Sequence, residues 1–190
     1  MKIGIFVGHS RQIKGKRDGG AVSVDGTSEW QYNQELASIL EDDLRDLGHK
    51  TFVWDHYEGG TYSTAMMWVA KQAKAWGADL AIELHFNAAS PNANGHEWLY
   101  WHTSDAGFLL CKTLERGFKT HFPELVSRGV KARNMQHRGA QFLRRTHCPA
   151  IIAEPFFGTS ESDWQVAIEQ REIIAQEIAN AIDIWALHYK

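Results

Sequence analysis

Residues 79–87 read Asp79-Leu80-Ala81-Ile82-Glu83-Leu84-His85-Phe86-Asn87. The nearly continuous apolar run at 79–84 predicts a strand, and its flanks decide what kind of sheet it joins. Toward the N-terminus stand a helix near 62–76, a strand at 50–54, a helix at 28–47 and a first strand at 2–7. Ser28 and Gln31 form an S-x-x-Q capping box at the start of the 28–47 helix, and Gly48 stands where a C′ glycine belongs. Ala37, Leu40, Leu44 and Leu47 give that helix an apolar stripe. Toward the C-terminus the pattern predicts a strand at 96–101, a helix at 104–118, short strands at 140–144 and 150–153, and a last helix from about Ser162. Ile174, Ile178, Ile182 and Trp185 line one side of this last helix. Strands alternating with helices imply an α/β fold: one domain over 1–190, with a twisted, mostly parallel (mixed) sheet of about six strands and helices on both faces. In such sheets ligands bind beyond the carboxyl ends of the strands.

Composition narrows the function. Of 190 residues, 44% are apolar and 23% charged, which fits a chain that buries a core. Twenty basic residues against 23 acidic ones give a net charge of −3, with no basic run and no nucleic-acid motif, so nucleic acid is not an expected partner. Cys111 and Cys148 lie far apart without a C-x-x-C pair and read as two reduced thiols. The start, Met1 to His9, is too short in apolar residues for a secretory leader, and no stretch is apolar enough to span a bilayer. The expectation is synthesis in the cytoplasm and no stable membrane association.

Four polar residues fall at element ends. His9 follows the first strand, His85 follows strand 79–84, Glu154 follows Ala150-Ile151-Ile152-Ala153, and Glu29 opens the helix capped by Ser28. Two histidines and a carboxylate with a fourth position open form a catalytic type of zinc set. The positive end of a helix favours the ionised form of Glu29. Each residue also has an ordinary reading, as a solvated strand end, a dipole-favoured helix start or an ion-pair member. The residues alone leave a metal site and four unrelated side chains evenly balanced.

The ordered set Val7-Gly8-His9, Ser28-Glu29, Glu83-Leu84-His85-Phe86-Asn87-Ala88 and Ala153-Glu154-Pro155-Phe156-Phe157 resembles the zinc-dependent N-acetylmuramoyl-L-alanine amidases of the amidase type 3 group. Gly95-His96-Glu97, Arg128-Gly129-Val130-Lys131 and Cys148-Pro149-Ala150 resemble further family elements, so the likeness spans the chain. It implies one zinc ion held by His9, Glu29 and His85, with Glu154 as the catalytic carboxylate. The implied reaction is hydrolysis of the amide between N-acetylmuramic acid and L-alanine in peptidoglycan.

The compact form resembles a phage endolysin without a separate cell-wall-binding domain. Such an enzyme is made in the host cytoplasm and reaches the wall once the membrane is permeabilised. Departures are Ser10-Arg11 after the first histidine, Glu83 where serine is common, and Pro155 where cysteine or glycine often lies. They bear on loop shape and substrate preference.

Asn87 lies two residues beyond His85 on an extended segment and so on the same side, as a candidate to orient His85 or bind substrate. Arg17, with Lys14 and Lys16 in the loop between two ligand candidates, is a candidate for stem-peptide carboxylates or an ordinary solvated charge. His96-Glu97 with His102 mimics H-E-x-x-H, but the spacing is wrong and the segment reads as a strand. The competing functions are a catalytically silent peptidoglycan-binding domain and a zinc peptidase or deacetylase on another substrate.

Overall fold

A computed structural model describes residues 1–90 and 92–189. Six strands form the main sheet: β1 (Lys2–Val7), β4 (Lys50–Trp54), β5 (Leu80–Leu84), β6 (His96–Trp101), β7 (Ser127–Arg133) and β8 (Ala150–Glu154). Their order is β4-β1-β5-β8-β6-β7. The first four run parallel, β6 lies antiparallel to β8, and β7 is parallel to β6, so the sheet is mixed. A separate two-stranded hairpin, β2 (Gln12–Ile13) and β3 (Lys16–Arg17), rises from the loop after β1. Lys14 and Gly15 both have positive φ, the backbone of a two-residue turn that matches hairpin twist.

Side-chain alternation sorts the core into two layers. Ile3, Ile5 and Val7 of β1 and Leu80, Ile82 and Leu84 of β5 face the layer made with α1 (Glu29–Asp46), α3 (Asp105–His121) and α6 (Arg171–His188). Phe6 and Ala81, from the alternate positions, face α2 (Tyr62–Trp76) and α4 (Ala140–Arg145). Burial on both faces explains why 79–84 reads as a continuous apolar run. The capping box of α1 forms as the sequence predicts, with Ser28 accepting from the Gln31 amide and the Gln31 side chain accepting from the Ser28 amide. A second capping box, Thr61 with Thr64, starts α2.

Three sequence expectations are corrected. Residues 140–144 form the helix α4, not a strand: Gly139, at positive φ, turns the chain, and Ala140, Phe142 and Leu143 bury themselves against α2 and the sheet. Six residues hold too few turns for helical and strand periods to differ. The sixth strand is instead β7, whose half-exposed edge position carries little apolar alternation. The last helix is two, α5 (Glu161–Glu169) and α6, broken at Gln170 where the backbone leaves helical values. Cys111 is buried in the core and Cys148 half-buried, both as free thiols.

Candidate active site

The site lies at the carboxyl ends of β1, β5 and β8, the edge of an α/β sheet at which ligands generally bind. His9 stands two residues past β1 in a left-handed backbone conformation (φ 56°), rare for a residue with a β-carbon. Such strain persists where surrounding structure fixes it, typically at functional sites. Glu29, at the first position of α1, is 3% exposed and becomes the hub. Its Oε1 accepts from the Phe86 amide at 3.2 Å and faces His85 Nδ1 at 2.7 Å. Its Oε2 accepts from the Ala21 amide at 3.0 Å and faces His9 Nε2 at 3.4 Å.

The ligand atoms of His9, Glu29 and His85 all fall within 4.8 Å of one another. Donors about 2.0–2.1 Å from a tetrahedral zinc stand about 3.3 Å apart, close to the separation of His9 Nε2 and Glu29 Oε2. Backbone shape protects this arrangement. A β-carbon on Gly8 would sit 2.4 Å from His85 Cε1, and one on Gly20 would sit 2.7 Å from both Glu29 Oε2 and His9 Cδ2. The residues present fit a divalent cation.

Both imidazoles meet a carboxylate on their other nitrogen. His9 Nδ1 lies 3.4 Å from Asp18, which Arg11 holds in an ion pair at 2.9 Å. His85 Nε2 lies 3.4 Å from Glu83 Oε2, and the Tyr57 hydroxyl donates to Glu83 Oε1 at 2.9 Å. Burial pushes the Glu29 carboxyl up, but the hydrogen bond and charge of His85, the charge of His9 and the Ala21 amide hold it below the usual range. Burial likewise lowers His85, yet Glu29 and Glu83 together raise it well above an ordinary histidine.

Glu154 closes the site from β8. Its Oε2 is buried with no hydrogen-bond partner among the described residues. Burial above all pushes its carboxyl up to about 8; the charge of His85 pulls it down, and those of Glu29, Glu97 and Glu83 push it up. A buried, unpartnered carboxylate oxygen with a strongly raised pKa marks Glu154 as a candidate functional group.

Of the four site candidates expected from sequence, His9, Glu29 and His85 come together, and Glu154 ends β8, the strand paired beside β5 and His85. The two minor candidates are differently placed. Asn87 pairs with Phe157 across an isolated bridge and donates to Glu97 Oε1 at 3.1 Å; no bond to His85 is formed. Arg17 donates to the Ser10 and Asp55 carbonyls and lies over the Trp30 ring, so its guanidinium braces the loop. Sequence reasoning passed over Glu83, Asp18 and Tyr57 as site neighbours. The alternation that aligned Asn87 with His85 applies equally to Glu83 on the other side. The H-E-x-x-H mimic dissolves: His96 is buried and accepts from Trp98 Nε1 at 3.0 Å, while Glu97 joins Arg128 and Arg133.

A family model described as N-acetylmuramoyl-L-alanine amidase matches residues 3–183. No curated protein sequence matches significantly. Among solved structures, the chain is similar to the catalytic domain of the CD27L endolysin targeting Clostridia difficile, with 29% identity, a TM-score of 0.80 and 96% of each chain covered. It also superposes on the catalytic domain of CwlV, an N-acetylmuramoyl-L-alanine amidase from Bacillus (Paenibacillus) polymyxa var. colistinus, at 21% identity and TM-score 0.78 over all of both chains. The amidase AmiC2 of Nostoc punctiforme matches at 20% identity and TM-score 0.75, covering 100% of this chain and 96% of the other. At such identities the last two likenesses speak to the fold.

Proposed function

The chain belongs to the N-acetylmuramoyl-L-alanine amidase family, and from that premise we propose that it cleaves the amide between N-acetylmuramic acid and L-alanine of peptidoglycan, using one zinc ion. The observation that carries this reading is the convergence of His9, Glu29 and His85 within 4.8 Å, beside the unpartnered carboxyl of Glu154. His9, Glu29 and His85 would hold the ion. When bound, zinc supplies Lewis acidity, polarising the scissile carbonyl and making water acidic enough to attack near neutral pH.

The chain's own residues do the rest. Burial raises the Glu154 carboxyl to about 8, which suits a group that both accepts and returns a proton near neutral pH. As carboxylate it takes a proton from the attacking water while the new carbon–oxygen bond forms. It then delivers that proton to the L-alanine nitrogen as the carbon–nitrogen bond breaks, leaving a carboxylic acid and a free amine. Such acid–base help is typically worth ~10²–10⁴-fold. Asp18 lies 3.4 Å behind the His9 ring as its counter-charge. Similarity to the CD27L endolysin catalytic domain supports a lytic role, in which the protein is made in the host cytoplasm and meets the wall after the membrane is permeabilised. No helix among the described residues is long and apolar enough to cross a membrane.

Digestion of purified sacculi tests the reaction. New L-alanine amino termini, lost on chelation and restored by zinc, are the expected products. New reducing sugar ends would mark a glycosidase, and binding without cleavage would mark a silent wall-binding domain; either overturns the reading.

A further inference from the structure

Glu83 is an unusual residue for the middle of a buried strand. It belongs to β5, is 4% exposed, and lies on the α2–α4 side of the sheet among apolar neighbours. Its Oε1 accepts the Tyr57 hydroxyl at 2.9 Å. Its Oε2 faces His85 Nε2 at 3.4 Å, and His85 is its sole ion-pair partner among the described residues. Asp18, behind His9, is by contrast balanced by Arg11. A buried carboxylate without a permanent counter-ion is expensive, and a fold retains one where it serves something beyond packing.

Strand geometry shows what it serves. Residues 83 and 85 are two apart and emerge on the same side of the sheet. His85 turns Nδ1 toward Glu29, 2.7 Å away, and so leaves Nε2 toward Glu83. Glu83 Oε2 thus stands behind the ring on its Nε2 side, while Nδ1 points to the space shared with Glu29 and His9. Carboxylates behind ligating histidines fix ring orientation and tautomer and raise ligand basicity, and their loss typically costs ~10–100-fold in metal affinity.

We propose that Glu83, anchored by Tyr57, is a positioning residue that commits His85 to bind the metal through Nδ1 and sets the affinity of the site for zinc. The inference rests on the zinc reading above.

The test is zinc affinity of the purified, metal-stripped protein, measured by competition with a chromophoric chelator, alongside melting of the zinc-free form. Glu83→Gln keeps the shape and removes the charge. It is expected to weaken zinc binding ~10–100-fold while the zinc-free protein melts at or above the wild-type temperature. A mere packing role predicts the reverse, lower melting with affinity intact. Should Glu83→Gln not fold, Glu83→Asp keeps the charge but withdraws it by one methylene, and a several-fold loss of affinity with unchanged melting is expected. Wild-type zinc binding with variant affinity within twofold of it overturns the role of Glu83 alone. A wild-type protein that takes up no zinc overturns the zinc reading and this inference together.

Discussion

Replacing Gly20 by alanine perturbs the proposed metal centre through the backbone alone. Gly20 has φ +74°, where a residue with a β-carbon costs ~1–2 kcal/mol. The added methyl would also stand 2.7 Å from Glu29 Oε2 and 2.7 Å from His9 Cδ2, inside van der Waals contact on both sides. Glu29 cannot yield, because the Ala21 and Phe86 amides and His85 hold it in a buried position. His9 is a third exposed and must move instead.

Gly20→Ala is therefore expected to lower stability by ~2–3 kcal/mol, or ~4–12 °C in melting temperature for a chain of this size. It should also weaken zinc binding at least ~10-fold, in the range seen when a ligand's support is lost. Gly15→Ala separates the two effects. Gly15 has φ +76° but nothing within 4 Å of the added methyl, so only the backbone cost applies and zinc binding should be untouched. Chelator competition and thermal melts on both variants provide the assay. Equal zinc affinity in Gly20→Ala and wild type would refute the claim that this glycine exists to let Glu29 and His9 approach.

Other expectations concern single side chains. Glu154→Gln should retain one zinc per chain and lose ~10²–10⁴-fold in turnover on sacculi, and a rate near wild type would remove Glu154 from the acid–base role. Burial pushes His96 down to about 4. Between that value and the ~6.5 of an unfolded histidine, the unfolded chain binds a proton that the fold refuses. Stability from this residue is thus complete above pH ~6.5 and falls by up to ~3 kcal/mol as the pH drops toward 4. Denaturant unfolding across that window should show a shallower slope in His96→Gln. Arg17→Ala should cost ~1–2 kcal/mol of stability, since two carbonyl bonds and a stacking contact are lost. The same substitution should leave KM for wall substrate unchanged; a raised KM would return Arg17 to the substrate site.

Strong local signals carried most of the fold into the sequence. The Ser28–Gln31 box marked α1, and the doubly covered strand 80–84 declared itself by lacking alternation. What stayed hidden depends on partners distant in sequence. Strand β7 is held by pairing with β6 at an edge, where half-exposed Ser127 and Lys131 and exposed Arg128 need no apolar pattern. Helix α4 is too short for its period to register, and only burial of Phe142 and Leu143 against α2 defines it. At the site, His9, Glu29, His85 and Glu154 were legible as polar residues at element ends, since topology sends those ends to one edge of the sheet. The carboxylates behind them were not, because Glu83 sits within a strand that otherwise reads as core and Asp18 within a loop crowded with charge. Arg17 stayed ambiguous for the same reason: a loop cation looks free until its carbonyl partners are seen.

Anomalous diffraction at the zinc absorption edge, from crystals grown with zinc, interrogates the centre itself. One strong peak within bonding distance of His9 Nε2, Glu29 and His85 Nδ1 is the predicted result. A peak bounded by other residues, or none where these three side chains meet, would contradict the assignment from which the chemistry above is built.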